Sequence, residues 1–246
     1  MKNRTLVFAL LLLLAACGSI KTKSTAEAES QDQLLLATLW YQKSAEMRAL
    51  YYQCYSNAEE ALMKNLASSE GKKPPAVVLD IDETVLDNSP FQGWQIIEQK
   101  GFDEESWNRW VDLAIAAPLP GAVEFTRFAD SLGVEVFYVS NRNRSQLAAT
   151  LANMSRFGFP GSDSTHMLLK TSVSSKIQRR EEIGNSHEII LLVGDNLADL
   201  AGIYEMRGDD LGFAAVDADK KLFGTKYIVL PNPMYGNWLS EIMKRA

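Results

Sequence analysis

Three short apolar runs in the sequence lead directly into polar residues that can do chemistry, namely Asp80 and Asp82, Ser140, and Asp195 and Asp199. If these runs are parallel strands, their carboxyl ends meet at one edge of a sheet and bring the polar side chains together. Several ionised carboxylates in one place repel each other unless a cation lies among them. Ligation by oxygen alone suits Mg²⁺, which also accepts oxygens of a phosphate group. The sequence therefore predicts a magnesium site that binds a phosphorylated ligand.

The same residue types are the parts needed for phosphoryl transfer. One aspartate can attack phosphorus and form an aspartyl-phosphate. A second aspartate, two residues along, can protonate the leaving oxygen and later activate water. A hydroxyl at a strand end and backbone N–H groups can hold the phosphoryl oxygens, while a lysine and the metal neutralise the transferring charge.

The elements that must position these residues alternate along the chain. Apolar runs typical of buried strands are followed by segments in which apolar residues recur at helical spacing. This alternation favours an α/β fold with a parallel sheet and helices on both faces. We predict strands at 76–79, 134–139, 166–169 and 188–193, helices at 121–132, 144–157, 175–183 and 198–206, and further strands at 213–216 and 227–230.

Two segments lie outside this alternation. Residues 34–67 have apolar side chains three, four or seven positions apart and are predicted to form one long helix whose stripe packs on the core. Residues 89–118 interrupt the strand and helix pattern and are rich in aromatic side chains. We predict that they form a small cap inserted into the sheet domain.

The N-terminus has the pattern of an export signal. Lys2 and Arg4 precede an apolar run at 6–16, which is too short to cross a bilayer as a helix. The run ends in Leu-Ala-Ala-Cys, which resembles the bacterial lipobox and predicts a lipoprotein signal peptide at 1–16, with lipid (palmitate) on Cys17. The alternative is a plain secretory signal with an incidental cysteine.

The residues after this signal predict how the chain meets a membrane. Residues 17–33 are mostly small, polar or charged and are predicted to be a flexible tether before a folded domain at 34–246. Ser19 resembles the signals that send Gram-negative lipoproteins to the outer membrane. We therefore expect an exported, membrane-attached protein, in the outer membrane if the host is Gram-negative.

Residues 80–86, with the sequence DIDETVL, resemble the first motif of the haloacid dehalogenase (HAD) superfamily of phosphohydrolases. The longer run 78–91 closely resembles the class C acid phosphatases, a family that includes the outer-membrane lipoprotein e type of 5′-nucleotidase. Further segments that match this family lie at 40–46, 139–142, 194–199 and 231–236. The resemblance implies a HAD-type, Rossmann-like parallel sheet with a small cap insertion and an N-terminal helical segment.

The resemblance also implies a role for each matched residue. Asp80 resembles the nucleophile and a metal ligand. Asp82 resembles the general acid and base, and it binds metal through its backbone carbonyl. Asp195 resembles the remaining metal-binding carboxylate, with Asp199 beside it to orient the lysine or the metal waters. Ser140 stands where the family usually has threonine, and either hydroxyl can donate to a phosphoryl oxygen. One Mg²⁺ per active site is implied.

The lysine of the site has two candidates in the sequence. Lys170 ends a predicted strand, and Lys176 opens the next helix. In this superfamily the lysine often begins the helix before the last acidic motif, so the resemblance favours Lys176. Substrate contacts are predicted for residues of the matched motifs and the cap, namely Asn141, Arg142, Phe91, Trp94, Trp107 and Tyr235. Phe91 stands where the family pattern has tyrosine.

Composition narrows the expected partners. Hydrophobic residues make up 46% and charged residues 23% of the chain, which is typical of a globular domain. A net charge of −6 and a pI near 5.1 argue against binding a nucleic-acid polymer. We instead expect nucleoside monophosphates or other small phosphomonoesters, a membrane contacted through the lipid anchor, and a homodimer as one option.

The predicted function is that of a lipid-anchored, Mg²⁺-dependent acid phosphatase or 5′-nucleotidase. Two alternatives stay open. A phosphotransferase would use the same aspartyl-phosphate but pass it to an alcohol. A non-catalytic surface lipoprotein would bind haem or a nucleotide, but it would be expected to have lost part of the acidic set.

Overall fold

The computed structural model describes residues 25–245, with side chains from residue 33 onward. The predicted signal peptide, Cys17 and the start of the tether lie outside the described residues. The helices are α1 (Thr25–Lys43), α2 (Ala45–Ser68), α3 (Ser89–Glu98), α4 (Glu104–Asp112), α5 (Ala122–Ser131), α6 (Leu147–Phe157), α7 (Ile177–Ser186), α8 (Phe213–Ala218) and α9 (Asn237–Met243). The strands are β1 (Pro75–Leu79), β2 (Leu86–Asp87), β3 (Ala117–Pro118), β4 (Glu135–Asn143), β5 (Met167–Lys170), β6 (Glu188–Gly194) and β7 (Tyr227–Val229).

Five of these strands form a sheet in the order β5-β4-β1-β6-β7, and every pair in it is parallel. The chain runs from β1 towards β4 and β5 on one side and then crosses to β6 and β7 on the other. Leu79 at the end of β1 pairs with Tyr138 of β4 and with Val193 of β6. The carboxyl ends of these three strands therefore meet at the topological switch of the sheet, which confirms the predicted α/β fold.

The alternation of side chains along the central strands explains why helices cover both faces. Val77 and Leu79 of β1 pack into the larger core, together with residues of α2, α5 and α6. Ala76 and Val78 point to the opposite face, where they pack with Ile183 of α7. Strands buried on both faces are continuous apolar runs, which is the pattern that predicted them.

The N-terminal segment differs from its prediction of one helix at 34–67. Two helices, α1 and α2, meet at Ser44, whose backbone is extended with φ −84° and ψ 138°. The Ser44 hydroxyl accepts a hydrogen bond from the backbone N–H of Met47 at 3.0 Å. A serine that caps a new helix in this way ends the previous one. The apolar side chains of the predicted stripe that belong to α2 are packed in the core as expected, but Leu36 on α1 is 70% exposed.

The predicted tether is also shorter than expected. Helix α1 begins at Thr25, so residues 25–33 of the tether predicted at 17–33 are helical. A composition of Ala, Glu and Gln is typical of flexible tethers, but these residues are also good helix formers. Composition alone therefore did not distinguish the two states.

Two further predictions in the C-terminal third are wrong. The helix predicted at 198–206 is replaced by two short 3₁₀ turns, separated by an extended Ala201. Asn196 and Asp199 cap each other, so the first turn closes on itself. The strand considered at 213–216 is part of helix α8, because the Asp210 carboxylate accepts hydrogen bonds from the backbone N–H groups of Gly212 and Ala214 at 3.0 and 2.7 Å.

The segment predicted as a cap contains helices α3 and α4 and is closed by the antiparallel pair β2–β3. Asp103 begins α4 by accepting a hydrogen bond from the backbone N–H of Ser106 at 2.8 Å. Among residues 25–245, no helix has the length and apolar character needed to cross a membrane.

Candidate active site

A cleft of about 440 Å³ lies over the carboxyl ends of β1, β4 and β6. Its floor contains Asp80, Asp82, Ser140, Asp195 and Asp199, the residues that the sequence predicted would meet there. Their convergence follows from the parallel register, because Asp80 and Asp195 each come directly after a strand of the same sheet.

Lys176 lies between two carboxylates at the floor of the cleft. Its ammonium group donates hydrogen bonds to Asp80 and, at 2.6 Å, to Oδ1 of Asp199. The Lys176 side chain is only 6% exposed. Burial would lower the pKa of Lys176, but Asp199 and Asp80 outweigh it and raise this pKa above the ordinary value. Lys176 is therefore held as a cation. Lys170, the other candidate, is at the end of β5 and does not line the cleft.

Asp80, Asp195 and Asp199 form a compact acidic cluster. Each can place one carboxylate oxygen within 4.8 Å of the others. Burial raises the pKa of Asp80 to about 7, although Lys176 beside it favours the ionised form. Burial, together with the carboxylates of Asp199 and Asp80, raises the pKa of Asp195 well above its usual range. One lysine does not compensate three carboxylates, so the cluster has the charge and donor set of a divalent-cation site.

The three carboxylates differ in how many oxygens are already engaged. Asp199 uses both, since Oδ1 accepts from Lys176 and Oδ2 accepts from the backbone N–H of Asn196 at 3.0 Å. Asp195 accepts one hydrogen bond, from the Asn232 amide to Oδ2 at 2.8 Å. Asp80 accepts from Lys176 through Oδ1. Asp80 and Asp195 therefore each keep an oxygen suited to a metal, whereas Asp199 orients the lysine.

Asp82 has a separate set of partners. Its Oδ1 accepts hydrogen bonds from Nε and Nη2 of Arg142 at 2.9 and 2.8 Å and from the Asn88 amide at 2.8 Å. Its Oδ2 is within 3.4 Å of the Ser140 hydroxyl. The Asp82 side chain is thus turned away from the acidic cluster, and its carboxylate is not one of the three clustered groups.

Glycine at position 194 is required by the close approach of Asp199. A Cβ atom on Gly194 would lie 2.5 Å from the Cβ of Asp199. Any side chain there would push Asp199 away from Lys176. The glycine that ends β6 therefore allows the second acidic residue of this motif to reach the site.

The loop that carries Asp80 and Asp82 continues into Glu83, whose backbone is strained, and two tyrosines of helix α2 donate hydrogen bonds to this part of the loop. Glu83 has a positive φ of 56°. The Tyr51 hydroxyl donates to the backbone carbonyl of Glu83 at 2.5 Å, and the Tyr55 hydroxyl donates to that of Thr84 at 2.7 Å. The Thr84 hydroxyl in turn accepts from the backbone N–H of Asp195 at 3.1 Å. These buried contacts tie the first acidic motif to the third.

The predicted aromatic contacts separate into two groups. Phe91, Trp107 and Tyr235 line the cleft, as do Asn141 and Arg142. Trp94 does not line the cleft; its ring stacks on that of Phe91, with 5.6 Å between the ring centroids. Arg142 lines the cleft, but its guanidinium is bound to Asp82 and lies 5.7 Å from the Trp107 ring.

Several residues of the site had no predicted role. Asn88 and Asn232 fall inside the matched segments, yet their amides contact Asp82 and Asp195 in ways that sequence motifs do not report. The cleft is also lined by further residues that had no predicted role, namely Gln92, Gln95 and Phe102 of the cap, Asn237 and Ser240 near the C-terminus, and Asn196 and Gly236 inside the matched segments. Amphipathic helices present such side chains for many reasons, so spacing alone does not identify them.

The parallel sheet, its cap and the acidic cluster at the topological switch define a HAD-type α/β protein. The family model described as "HAD superfamily, subfamily IIIB (Acid phosphatase)" matches residues 5–238, and the chain belongs to this family. The class C acid phosphatase of Bacillus anthracis is a similar solved structure, with a TM-score of 0.83 and 42% identity over 89% of this chain and 91% of that one. A structure of that enzyme with tungstate bound gives a TM-score of 0.82 and 41% identity over 88% and 90% of the two chains.

More distant relatives are plant proteins. A stem 31 kDa glycoprotein of Glycine max is 27% identical over 164 residues, which is 64% of this chain and 58% of that protein. Acid phosphatase 1 of Solanum lycopersicum is 25% identical over 167 residues, or 64% and 57% of the two chains. The matches thus span little more than half the length of these curated relatives.

Proposed function

We propose that this protein is a metal-dependent phosphomonoesterase that works through an aspartyl-phosphate. The observation that carries the proposal is the pairing of buried Asp80 with Lys176 at the floor of a cleft, with Asp82 separately held beside it. Membership of the acid phosphatase family supports the same reaction.

Asp80 is the proposed nucleophile. In the first step an Asp80 oxygen forms a bond to phosphorus while the bond from phosphorus to the ester oxygen breaks. Lys176 faces the same carboxylate, so its charge offsets the negative charge of the transferring group. The Ser140 hydroxyl, which is buried within the second half of β4, is the proposed donor to a phosphoryl oxygen.

Asp82 is the proposed general acid and base. It gives a proton to the leaving oxygen in the first step. In the second step it takes a proton from water, whose oxygen bonds to phosphorus while the bond between phosphorus and Asp80 breaks, which restores the Asp80 carboxylate and the protonated Asp82 and releases inorganic phosphate. Its position two residues after Asp80 and its contact with Ser140 support this role.

Mg²⁺ is the proposed cofactor, held by Asp80 and Asp195, with the backbone carbonyl of Asp82 as a further ligand. The fit rests on the three clustered carboxylates and on the oxygens that Asp80 and Asp195 keep free of hydrogen bonds from Lys176 and Asn232. When bound, the ion would supply positive charge to the phosphoryl group.

The proposed substrates are 5′-nucleotides and related phosphomonoesters. Phe91, Trp107 and Tyr235 offer ring faces around the cleft, and stacking on a base contributes about 1–3 kcal/mol. Tungstate is a tetrahedral oxyanion like phosphate, so its presence in the similar Bacillus anthracis enzyme supports a phosphorylated substrate for this chain.

Two predictions concern the membrane, namely export with lipid anchoring through Cys17 and attachment to the outer membrane, and both are supported by the N-terminal sequence alone. A homodimer also stays a prediction. Metabolic labelling with palmitate, with Cys17→Ser as the control, tests the anchor. Size-exclusion chromatography with light scattering tests the dimer.

The function is tested with p-nitrophenyl phosphate and a panel of nucleoside monophosphates, nicotinamide mononucleotide and sugar phosphates, with Mg²⁺ or EDTA. We expect Mg²⁺-dependent release of phosphate and a reduction of roughly 10⁴-fold or more in Asp80→Asn. An Asp80→Asn variant with near-normal turnover would exclude the nucleophile assignment. Product analysis with added alcohol separates the alternative phosphotransferase, and no turnover of any ester would favour the binding lipoprotein.

A further inference from the structure

The two oxygens of the Asp82 carboxylate are held unequally. Oδ1 accepts three hydrogen bonds of 2.8 to 2.9 Å, two from Arg142 and one from Asn88. Within residues 33–245, Oδ2 has only longer contacts, 3.3 Å from Arg142 and 3.4 Å from Ser140. A proton can therefore reside on Oδ2 without displacing a strong hydrogen bond, while Oδ1 serves as the anchor of the carboxylate.

The orientation of the Asn88 amide decides whether the contact between Asn88 and the Asp82 carboxylate is attractive. Asn88 is fully buried, and its Nδ2 donates to Asp82. If the amide were turned over, its oxygen would face the Asp82 carboxylate and the two groups would repel each other. Something must therefore hold the amide oxygen on the opposite side.

Trp110 provides that constraint from the cap. Its indole Nε1 donates to Oδ1 of Asn88 at 2.8 Å, and Nη2 of Arg142 approaches the same oxygen at 3.4 Å. An indole N–H can only donate, so it selects the amide orientation in which Nδ2 points at Asp82. The backbone N–H of Asn88 is fixed as well, because it donates to the Glu83 carboxylate at 2.7 Å.

We infer that Trp110 and Asn88 are positioning residues for the proton-transfer step at Asp82. Trp110 is on helix α4 of the cap and does not line the cleft, so it acts through Asn88 rather than on the substrate. The cap would thus contribute to the chemistry of every substrate, besides forming a wall of the cleft. This inference rests on the proposed role of Asp82 as general acid.

The leaving group provides a readout that a merely structural role would not change. When the bond from phosphorus to the ester oxygen breaks, its electron pair stays on that oxygen, which then takes the proton from Oδ2 of Asp82. A nitrophenolate leaves well without this proton, whereas an alkoxide does not. A misplaced Asp82 should therefore harm alkyl phosphates much more than p-nitrophenyl phosphate.

The test compares kcat/KM of the full chain and of Trp110→Phe for a series of aryl phosphates and one sugar phosphate. Trp110→Phe keeps an aromatic ring but loses the N–H group. We expect kcat/KM to fall about tenfold or more for the sugar phosphate and less than about threefold for p-nitrophenyl phosphate, since small misplacements at a reacting group are costly. Trp40→Phe, the same change on helix α1, is the matched control and should alter neither value.

Equal losses on all leaving groups, or the same dependence in Trp40→Phe, would overturn the inference. If Trp110→Phe does not fold, the isosteric Asn88→Asp variant tests the same point, because it keeps an acceptor for Trp110 but loses the donor to Asp82. A leaving-group effect in Asp82→Asn without one in Trp110→Phe or Asn88→Asp would refute this inference alone. Full activity in Asp80→Asn would instead refute the proposed function.

Discussion

Asp80 and Asp82 lie two residues apart on one loop, yet their surroundings are of opposite kinds. Asp80 is buried against Lys176 and shares its pocket with the carboxylates of Asp195 and Asp199. Asp82 is 18% exposed and is held by Arg142 and Asn88. The Asp80 carboxylate lies among like charges, which favours binding of a cation. The Asp82 carboxylate is held through Oδ1 by hydrogen-bond donors, so that Oδ2 is available for the proposed proton transfer. Neighbouring carboxylates can therefore perform different tasks because their environments differ.

After Asp80→Asn, removal of the proposed acid function of Asp82 should have the largest effect on activity. We expect Asp82→Asn to lower kcat/KM for the sugar phosphate by roughly 10²–10⁴-fold, which is the usual contribution of a general acid. The loss should be smaller than that of Asp80→Asn, because Asp82→Asn keeps the proposed nucleophile. Steady-state assays with p-nitrophenyl phosphate and a sugar phosphate measure kcat/KM of both variants. An equal loss in Asp80→Asn and Asp82→Asn would contradict the assignment of different roles to the two carboxylates.

Removing Lys176 should leave the carboxylates around Asp80 uncompensated. We expect Lys176→Met to lower the free energy of unfolding by about 3 kcal/mol or more at neutral pH without metal, because a buried ionic group loses its partner. Lys170→Met is the matched control and should change it by less than about 0.5 kcal/mol. Urea unfolding with EDTA measures both. Similar values for the two lysines would contradict the assignment of Lys176 to the site.

The metal-free protein should lose stability as pH rises through about 7. Asp80 has a pKa of about 7 and that of Asp195 is raised well above its usual range, so their protonated forms are favoured in the folded state. Their contribution is complete below the ordinary pKa of an aspartate, near 4, and is lost as they ionise. Thermal unfolding in EDTA should give a lower Tm at pH 8 than at pH 5.5.

Added Mg²⁺ should reverse this trend, since the proposed site would bind it through the ionised carboxylates. The rise in Tm caused by Mg²⁺ should be larger at pH 8 than at pH 5.5, and Asp195→Asn should reduce both effects. A metal-free Tm that is unchanged over this range would show that the cluster is not strained by its own charge.

The smallest effect on activity is expected from removing a hydrogen bond between helix α2 and the loop after Asp82. Tyr55→Phe removes the hydrogen bond to the Thr84 carbonyl, which lies just beyond both carboxylates. We expect a loss of about 1 kcal/mol in the free energy of unfolding and a change in kcat of less than about threefold. Tyr52→Phe on the exposed side of α2 is the control. A large loss of kcat would mean that the loop, rather than the direct partners, separates the two carboxylates.

Much of this site could be predicted because its parts are local in sequence. Apolar runs followed by Asp80 and Asp195 predict strands that end in acidic residues, and parallel pairing then brings them together. The break at Ser44 and the turns after Asn196 were missed, because a single side-chain cap overrides a helical pattern of many residues. Trp94 was predicted beside the substrate but does not line the cleft, because aromatic composition does not reveal which ring faces it.

The sequence by itself determined the α/β class and the set of acidic residues at one edge of the sheet, because strand periodicity and strand ends are properties of short segments. Only the tertiary structure decided which partner each carboxylate has. Lys176 is 96 positions from Asp80, and Arg142 is 60 positions from Asp82. Partners at such separations are selected by the packing of helices and cap on the sheet, which also aligned Trp110 with Asn88. The surroundings of Asp80 and Asp82 are therefore set by residues that lie in other segments of the sequence and not in the motif that contains the two aspartates.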